Sequence, residues 1–300
     1  PFLDANNLTI VAPSNPSSSF ATVGYRSVGL GSRTDDYETT WNHAAVGVDG
    51  KAWGWDYRGR VVFAQTQLTD THAGGYSDSD CLNSAIAAGK YNPILGTGVD
   101  SVKPCILHDQ VQDIKSRVTD LTFGVQHDLW NMAGGMSIFS AGLDYSWNSY
   151  DVGYGPYGLV NSGYSTQDSF TATAVGGGSG FVPISAHRNN WAIYGEAVFP
   201  VLKSLEIDAS VRYDYYDKIH SGYVFSNTAD ANGVFQQIAA ADLGNTFNDT
   251  TYKITGRWTP FEKLLIRGSY GTGFKAPSFG DVAGPLVFNG STANSYTCPF

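Results

Sequence analysis

Asp78-Ser79-Asp80 is the first place where the chain offers chemistry: two carboxylates at the spacing that opens a calcium loop. The Gly and Glu that would complete such a loop do not follow, so no metal is expected there. The six His residues, at 43, 72, 108, 127, 187 and 220, share no zinc-ligand spacing. Gly176-Gly177-Gly178-Ser179-Gly180 lacks the Lys-Ser/Thr of a phosphate loop, and Gly271-Thr272-Gly273 lacks the third Gly of a dinucleotide loop. No Gly-x-Ser-x-Gly elbow occurs. Catalytic residues and cofactors are therefore not expected. Tyrosines and cysteines remain. Tyr150, Tyr154, Tyr157 and Tyr164 follow Trp147 among Gly, Asn, Ser and Asp, a composition suited to stacking on sugars or aromatic chelates. They are the candidate ligand-binding residues. No Lys or Arg cluster accompanies them to grip an anionic siderophore, which tilts the expectation toward a neutral oligosaccharide, although plain loop composition explains them nearly as well.

The elements that must carry these residues read as strands. Alternating runs cover residues 35–48, 53–68, 117–130, 136–147, 190–199, 205–217, 250–259 and 264–274. They pair through tight joins at 49–52, 131–135, 200–204 and 260–263, which are rich in Gly, Pro, Asn, Asp or Ser. Between pairs lie long loop-like stretches. Short turns at one end and long loops at the other predict an all-β fold, an antiparallel transmembrane β-barrel with periplasmic turns and extracellular loops. Soluble sandwiches have short turns at both ends.

Alternation assigns the faces. Leu205, Ile207, Ala209, Val211, Tyr213 and Tyr215 form one row against Glu206, Asp208, Ser210, Arg212, Asp214 and Tyr216. Trp53, Trp55, Tyr57, Gly59, Val61 and Phe63 stand likewise against Gly54, Asp56, Arg58, Arg60, Val62 and Ala64. Trp53, Trp55, Phe199 and Trp258 near the turns, and Trp147, Trp191, Tyr213 and Tyr215 near the loops, suit two headgroup belts. Asp56, Arg58, Arg60, Glu196, Arg212, Asp214 and Arg267 are expected to face the lumen, because an Arg on the lipid face costs roughly 2–4 kcal/mol at the midplane. A half-buried sheet of a soluble protein shows the same alternation and stays open.

Composition agrees with a barrel: 15% charged, 14% aromatic and 35 Gly. No window approaches the eighteen apolar residues of a membrane-spanning helix. A formal net charge of −9, from 18 Lys+Arg against 27 Asp+Glu, argues against nucleic acid as a partner. Cys81 and Cys105 share the connection 69–116, which the topology places in an oxidising exterior, so a loop disulfide is expected; reactive or metal-bound thiols are the alternative. Cys298 is expected to find its partner beyond this chain. Residues 82–89 read as a short helical turn stopped by Gly89. The start at Pro1-Phe2-Leu3, with neither Met nor signal peptide, is read as the start of an excised piece.

The run Trp258-Thr259-Pro260 to Leu264-Leu265-Ile266-Arg267-Gly268-Ser269-Tyr270-Gly271-Thr272-Gly273-Phe274-Lys275-Ala276-Pro277-Ser278 resembles the barrel signature of TonB-dependent outer-membrane receptors. Arg267, Gly273, Phe274, Ala276, Pro277 and Ser278 carry that likeness, and Lys275 stands where Arg is more frequent. Tyr194-Gly195-Glu196 to Pro200, followed by Leu205 to Arg212-Tyr213-Asp214, resembles the family's preceding hairpin, in family order. The connection between Tyr216 and Asp249 is longer than usual for the family. The resemblance implies a 22-stranded barrel, of which residues 1–300 would hold about eight or nine strands, without the plug domain or the C-terminal strands. It implies location in the outer membrane of a Gram-negative bacterium and import of a scarce ligand, an oligosaccharide or an iron-siderophore. The implied partners are outer-membrane lipid, the plug of the same full-length chain, TonB through an N-terminal segment not in this chain, and an extracellular small ligand. Rival classes are a passive porin or adhesin barrel and a secreted β-rich carbohydrate-binding domain.

Overall fold

The computed structural model describes residues 28–155, 183–222 and 239–284, together with the backbone of the two-residue pieces 164–165, 174–175, 224–225, 234–235 and 237–238. The chain divides into two units, one built from 72–108 and the segment up to Thr34, the other from 35–71 and from 109 onward.

The larger unit is a sheet. Its strands are β1 (Thr34–Ala52), β2 (Trp55–Gly74), β3 (Gln110–Met132), β4 (Gly135–Tyr154), β5 (Ile184–Leu202), β6 (Leu205–Tyr216), β7 (Ile219–Ser221), β8 (Ala241–Leu243), β9 (Phe247–Phe261) and β10 (Leu264–Gly271). The order is β1-β2-β3-β4-β5-β6-β9-β10, with β7 pairing both β5 and β8. Every long neighbour is a sequence neighbour or a return across an inserted hairpin, as in an up-and-down barrel wall. The sheet is open, consistent with a partial barrel.

The tight joins are two-residue turns, set later in the chain than the turn-forming residues suggest. Met132 pairs with Gly135, Leu202 with Leu205, and Phe261 with Leu264. Just before each turn the register slips by one residue, between Asp128 and Asn131, Phe199 and Leu202, and Trp258 and Phe261. Pro200 and Pro260 fall in two of these bulges, where a residue without an N–H breaks no ladder bond. The strand passes through each proline before turning. The first turn is Trp53-Gly54 rather than 49–52, with φ of 52° and 80°. Two left-handed residues make the primed turn that matches strand twist. Trp53 is accordingly a turn residue and not the first member of the lipid row.

The strands also run on past Trp147 and Trp191, to Tyr154 on β4 and back to Ile184 on β5. Between the belts the outward row is apolar and uncovered: Phe123, Leu143 and Ile193 are register partners, and Ile193 is 56% exposed. A continuous apolar face of this kind needs lipid as its solvent. Trp191 to Phe199 spans nine residues of β5, within the reach of a tilted transmembrane strand. Trp191 lies 5.6 Å from both Tyr213 and Tyr215 at one belt, and Trp130 6.2 Å from Phe199 at the other. Beyond the loop-side belt the faces exchange polarity. Outside, Arg117 binds Asp151 at 3.1 Å and Gln65 at 3.1 Å, and Ser185 donates to Asp151 at 2.8 Å. Inside, Val152, Ile184, Ala186 and Ile219 are buried, flanked by Ile114, Tyr150 and Tyr154.

The smaller unit is a stapled loop. Helix α1 (Ser79–Ala87) starts at Asp78, whose carboxylate accepts from the N–H of Asp80 at 2.8 Å and of Cys81 at 3.0 Å. Asp78 is thus an N-cap rather than half of a calcium loop. Gly89, at φ 66°, ends the helix. A 3-10 helix, Val99–Cys105, packs Val102 and Cys105 into a core with Leu82, Tyr91 and Leu107. Cys81 and Cys105 are disulfide-bonded, with Cα atoms 5.6 Å apart.

Candidate functional site

The site the fold offers is the inward wall. Register partners share a face, so the rows can be read strand by strand. Asp56, Gln126, Ser140, Glu196, Ser210 and Lys253 form one row across β2 to β9. The next is Arg58, Gly124, Gly142, Tyr194 and Arg212, and above it come Arg60, Thr122, Asp144, Ala192 and Asp214. Register thus sets Asp56, Arg58, Arg60, Glu196, Arg212 and Asp214 on one face. Arg267 pairs with Arg257, which pairs with Glu206, and belongs to the same face at the turn end. Arg257 continues the odd-numbered row of β9, after Lys253 and Thr255, and could have been found by extending the alternation.

Charges on this wall are paired. Arg212 reaches Asp144 at 2.6 Å and Asp214 at 3.0 Å, bridging β6 to β4 over the small, buried Ala192. Ser146 donates to Asp120 one row higher. Near the turns, Lys51 meets Asp56 at 2.8 Å and Arg58 meets Asp49 at 2.7 Å, both pairs in solvent and worth little individually. A depression of about 710 Å³ lies between them and Tyr194 and Glu196.

Tyr194 lies across two glycines. A Cβ on Gly142 would stand 2.5 Å from the Tyr194 hydroxyl and 2.6 Å from the Phe123 carbonyl; on Gly124 it would meet the hydroxyl at 3.2 Å and the Ala141 carbonyl at an ordinary 3.7 Å. The Arg212 guanidinium stacks 6.0 Å above the Tyr194 ring. Gly142→Ala should therefore destabilise the barrel by about 1–3 kcal/mol, as overpacking against backbone does, and Gly124→Ala by clearly less. Urea unfolding in lipid vesicles measures both, and equal losses would show that Tyr194 does not set the constraint.

The signature residues after β10 fold onto the loop-side end of this wall. Pro277 offers its carbonyl to Arg188 Nη1 at 2.9 Å. Ser278 caps helix α2 (Phe279–Ala283) in a reciprocal capping box with Asp281, whose carboxylate those bonds hold below the usual range. Phe279 stacks on Tyr150 at 6.1 Å, and Val282 and Ala283 cover the apolar cluster. The pairing run ends at Gly271, not 274; Gly273, Phe274 and Ala276 lie in the segment leading to α2, and Phe274 meets Tyr216 edge-on at 5.9 Å.

The tyrosines do not form one loop. Tyr150 and Tyr154 belong to β4, on the inward row, packed against the cluster under α2. The reversal of face polarity above Trp147 hid this strand extension. Tyr157 lies outside the described residues, and Tyr164 is described in its backbone alone, paired with Phe235. Cys298 and the run 176–180 also lie outside them. His127 stacks on Trp55 at 4.7 Å near the turn-side belt, and His220 Nδ1 lies 2.9 Å from the Asp242 carboxylate, which accepts from it. Among the described residues no cluster could hold a metal ion.

An antiparallel wall with an apolar outer face between aromatic belts and a paired ionic inner face is that of a transmembrane β-barrel. The family model described as TonB dependent receptor-like, beta-barrel matches residues 2–297, and the chain belongs to that family. Its members are transport receptors of the outer membrane rather than enzymes. Among solved structures the chain is similar to the ferric-catecholate import receptor Fiu of E. coli K12 in its open form, at 11% identity and a TM-score of 0.47, covering 85% of this chain. The chain spans 38% of the length of that receptor. No curated protein sequence matches.

Proposed function

We propose that the protein to which this wall belongs is an outer-membrane receptor that captures a scarce ligand outside the cell. It imports that ligand with energy transmitted by TonB, through a plug seated against the inner wall. The family match across residues 2–297 carries this reading. The ionic inner wall supports it, because a wall of fixed charges suits a polar plug or water, whereas lipid would not tolerate it. The ligand is an oligosaccharide or an iron-siderophore, recognised by residues 156–182 with Tyr157 and Tyr164, while Tyr150 and Tyr154 brace the wall beneath. A passive porin is the competing class.

Uptake of a labelled ferric catecholate and of a labelled maltooligosaccharide, by cells carrying the full-length protein with and without TonB, separates these readings. TonB-dependent uptake of either is expected. Uptake that persists undiminished without TonB would make the barrel a porin. Deleting 156–182 should abolish uptake yet preserve heat-modifiable migration, since external loops carry recognition and the ladder carries stability.

A further inference from the structure

Arg188 is the one cation of the described inner wall that is nine-tenths buried, at 9% exposure, and its Nε meets no hydrogen-bond partner among the described residues. The groups in contact with its guanidinium are neutral. Tyr216 lies 4.9 Å and Phe279 5.4 Å from the guanidinium carbon, on β6 and α2, and the Pro277 carbonyl takes Nη1 alone. Every other paired Arg of this sheet, Arg58, Arg117 and Arg212, has a carboxylate. A desolvated guanidinium with no carboxylate bound to it among the described residues is costly, and such groups are ordinarily paired. Next to Arg188 the wall is interrupted, β6 ending at Tyr216 and β7 beginning at Ile219, and a cavity of about 470 Å³ opens there, lined also by Lys218, His187, His220, Asp217 and Asp242. Asp242 is held by His220.

We propose that Arg188 is a carboxylate-binding residue, taking two oxygens of a carboxylate-bearing small ligand on the edge that Nε shares with Nη2. That edge matches a carboxylate in plane, and the Tyr216 and Phe279 rings against the guanidinium fix its orientation and exclude water. Pro277 stays on the other edge, so binding does not require the signature segment to leave. The import reading supplies the source of the ligand; the unpartnered Nε does not depend on it.

The test uses the full-length receptor in detergent and tricarballylate, a tricarboxylate without other functional groups, followed by calorimetric titration. Binding is expected to fall about tenfold or more in Arg188→Gln, the worth of a charged hydrogen bond. Arg188→Lys keeps the charge without the two-donor edge and should fall in between. Arg117→Gln, on the outer face, should bind as wild type, and the trimethyl ester of the probe should not bind. Heat-modifiable migration confirms that each variant is folded. Absence of binding to wild type, equal binding by Arg188→Gln, or a structure of the full chain with an Asp or Glu of another segment on Nε would each overturn the proposal. TonB-dependent uptake is read separately, so loss of the import reading with binding intact, or the reverse, is distinguishable.

Discussion

Val211→Arg should prevent the barrel from assembling in the outer membrane, while Ser210→Arg, one residue away, should assemble at near wild-type yield. Val211 sits midway between the belts marked on its neighbours by Trp191 and Phe199, paired with Gly195 and Tyr252 and 51% exposed. A guanidinium there meets hydrocarbon, at a cost of roughly 2–4 kcal/mol. That is a large share of what holds a marginally stable fold together. Ser210 pairs with Glu196 and Lys253 on the opposite face, so an Arg in its place finds water and a carboxylate. Outer-membrane fractionation with the heat-modifiable gel shift measures both variants, and equal yields would contradict the assignment of faces.

Replacing Cys81 and Cys105 together by Ser should loosen residues 72–108 and leave the barrel intact. The bond spans a sequence separation of 24. Closing a loop of that size stabilises it by about 3 kcal/mol in the chain-entropy account. The unit it staples is small: one short helix, one 3-10 helix and a core centred on Val102 and Tyr91. Such a unit has little other stabilisation to draw on. Limited proteolysis of intact cells should cut within 72–108 in the double variant and not in wild type, with the gel shift unchanged. Loss of the shift as well would mean that the strands depend on the loop.

The sheet between the belts was legible because one physical condition, lipid on one side and water on the other, holds over nine or so residues of every long strand. Where that condition changes, the alternation changes sign. Ser149, Asp151 and Ser185 face outward beyond Trp147, and Tyr150, Val152 and Ala186 face inward. The strand continues through this crossover, but the pattern reads as a loop, and for that reason Tyr150 and Tyr154, which lie on β4, read as loop residues. The turns erred by a similar confusion, since Pro200 and Pro260 mark bulges rather than corners. Arg188 could not be recognised from sequence at all. Its significance lies in what surrounds it, Tyr216 from β6 and Phe279 from 91 residues further along the chain, and spacing along one strand carries no trace of either.

The most direct test of the wall itself is a cysteine scan of residues 207–215 in the full-length protein, with Cys298→Ser, in outer membranes. Each position is treated with a membrane-impermeant maleimide and with a lipid-soluble one. Odd positions, from Ile207 through Val211 to Tyr215, should react with the lipid-soluble reagent alone, and even positions, from Asp208 through Arg212 to Asp214, with the impermeant one, a strict period of two. Reactivity of both parities with the impermeant reagent would contradict a transmembrane barrel and return the sheet to a soluble protein.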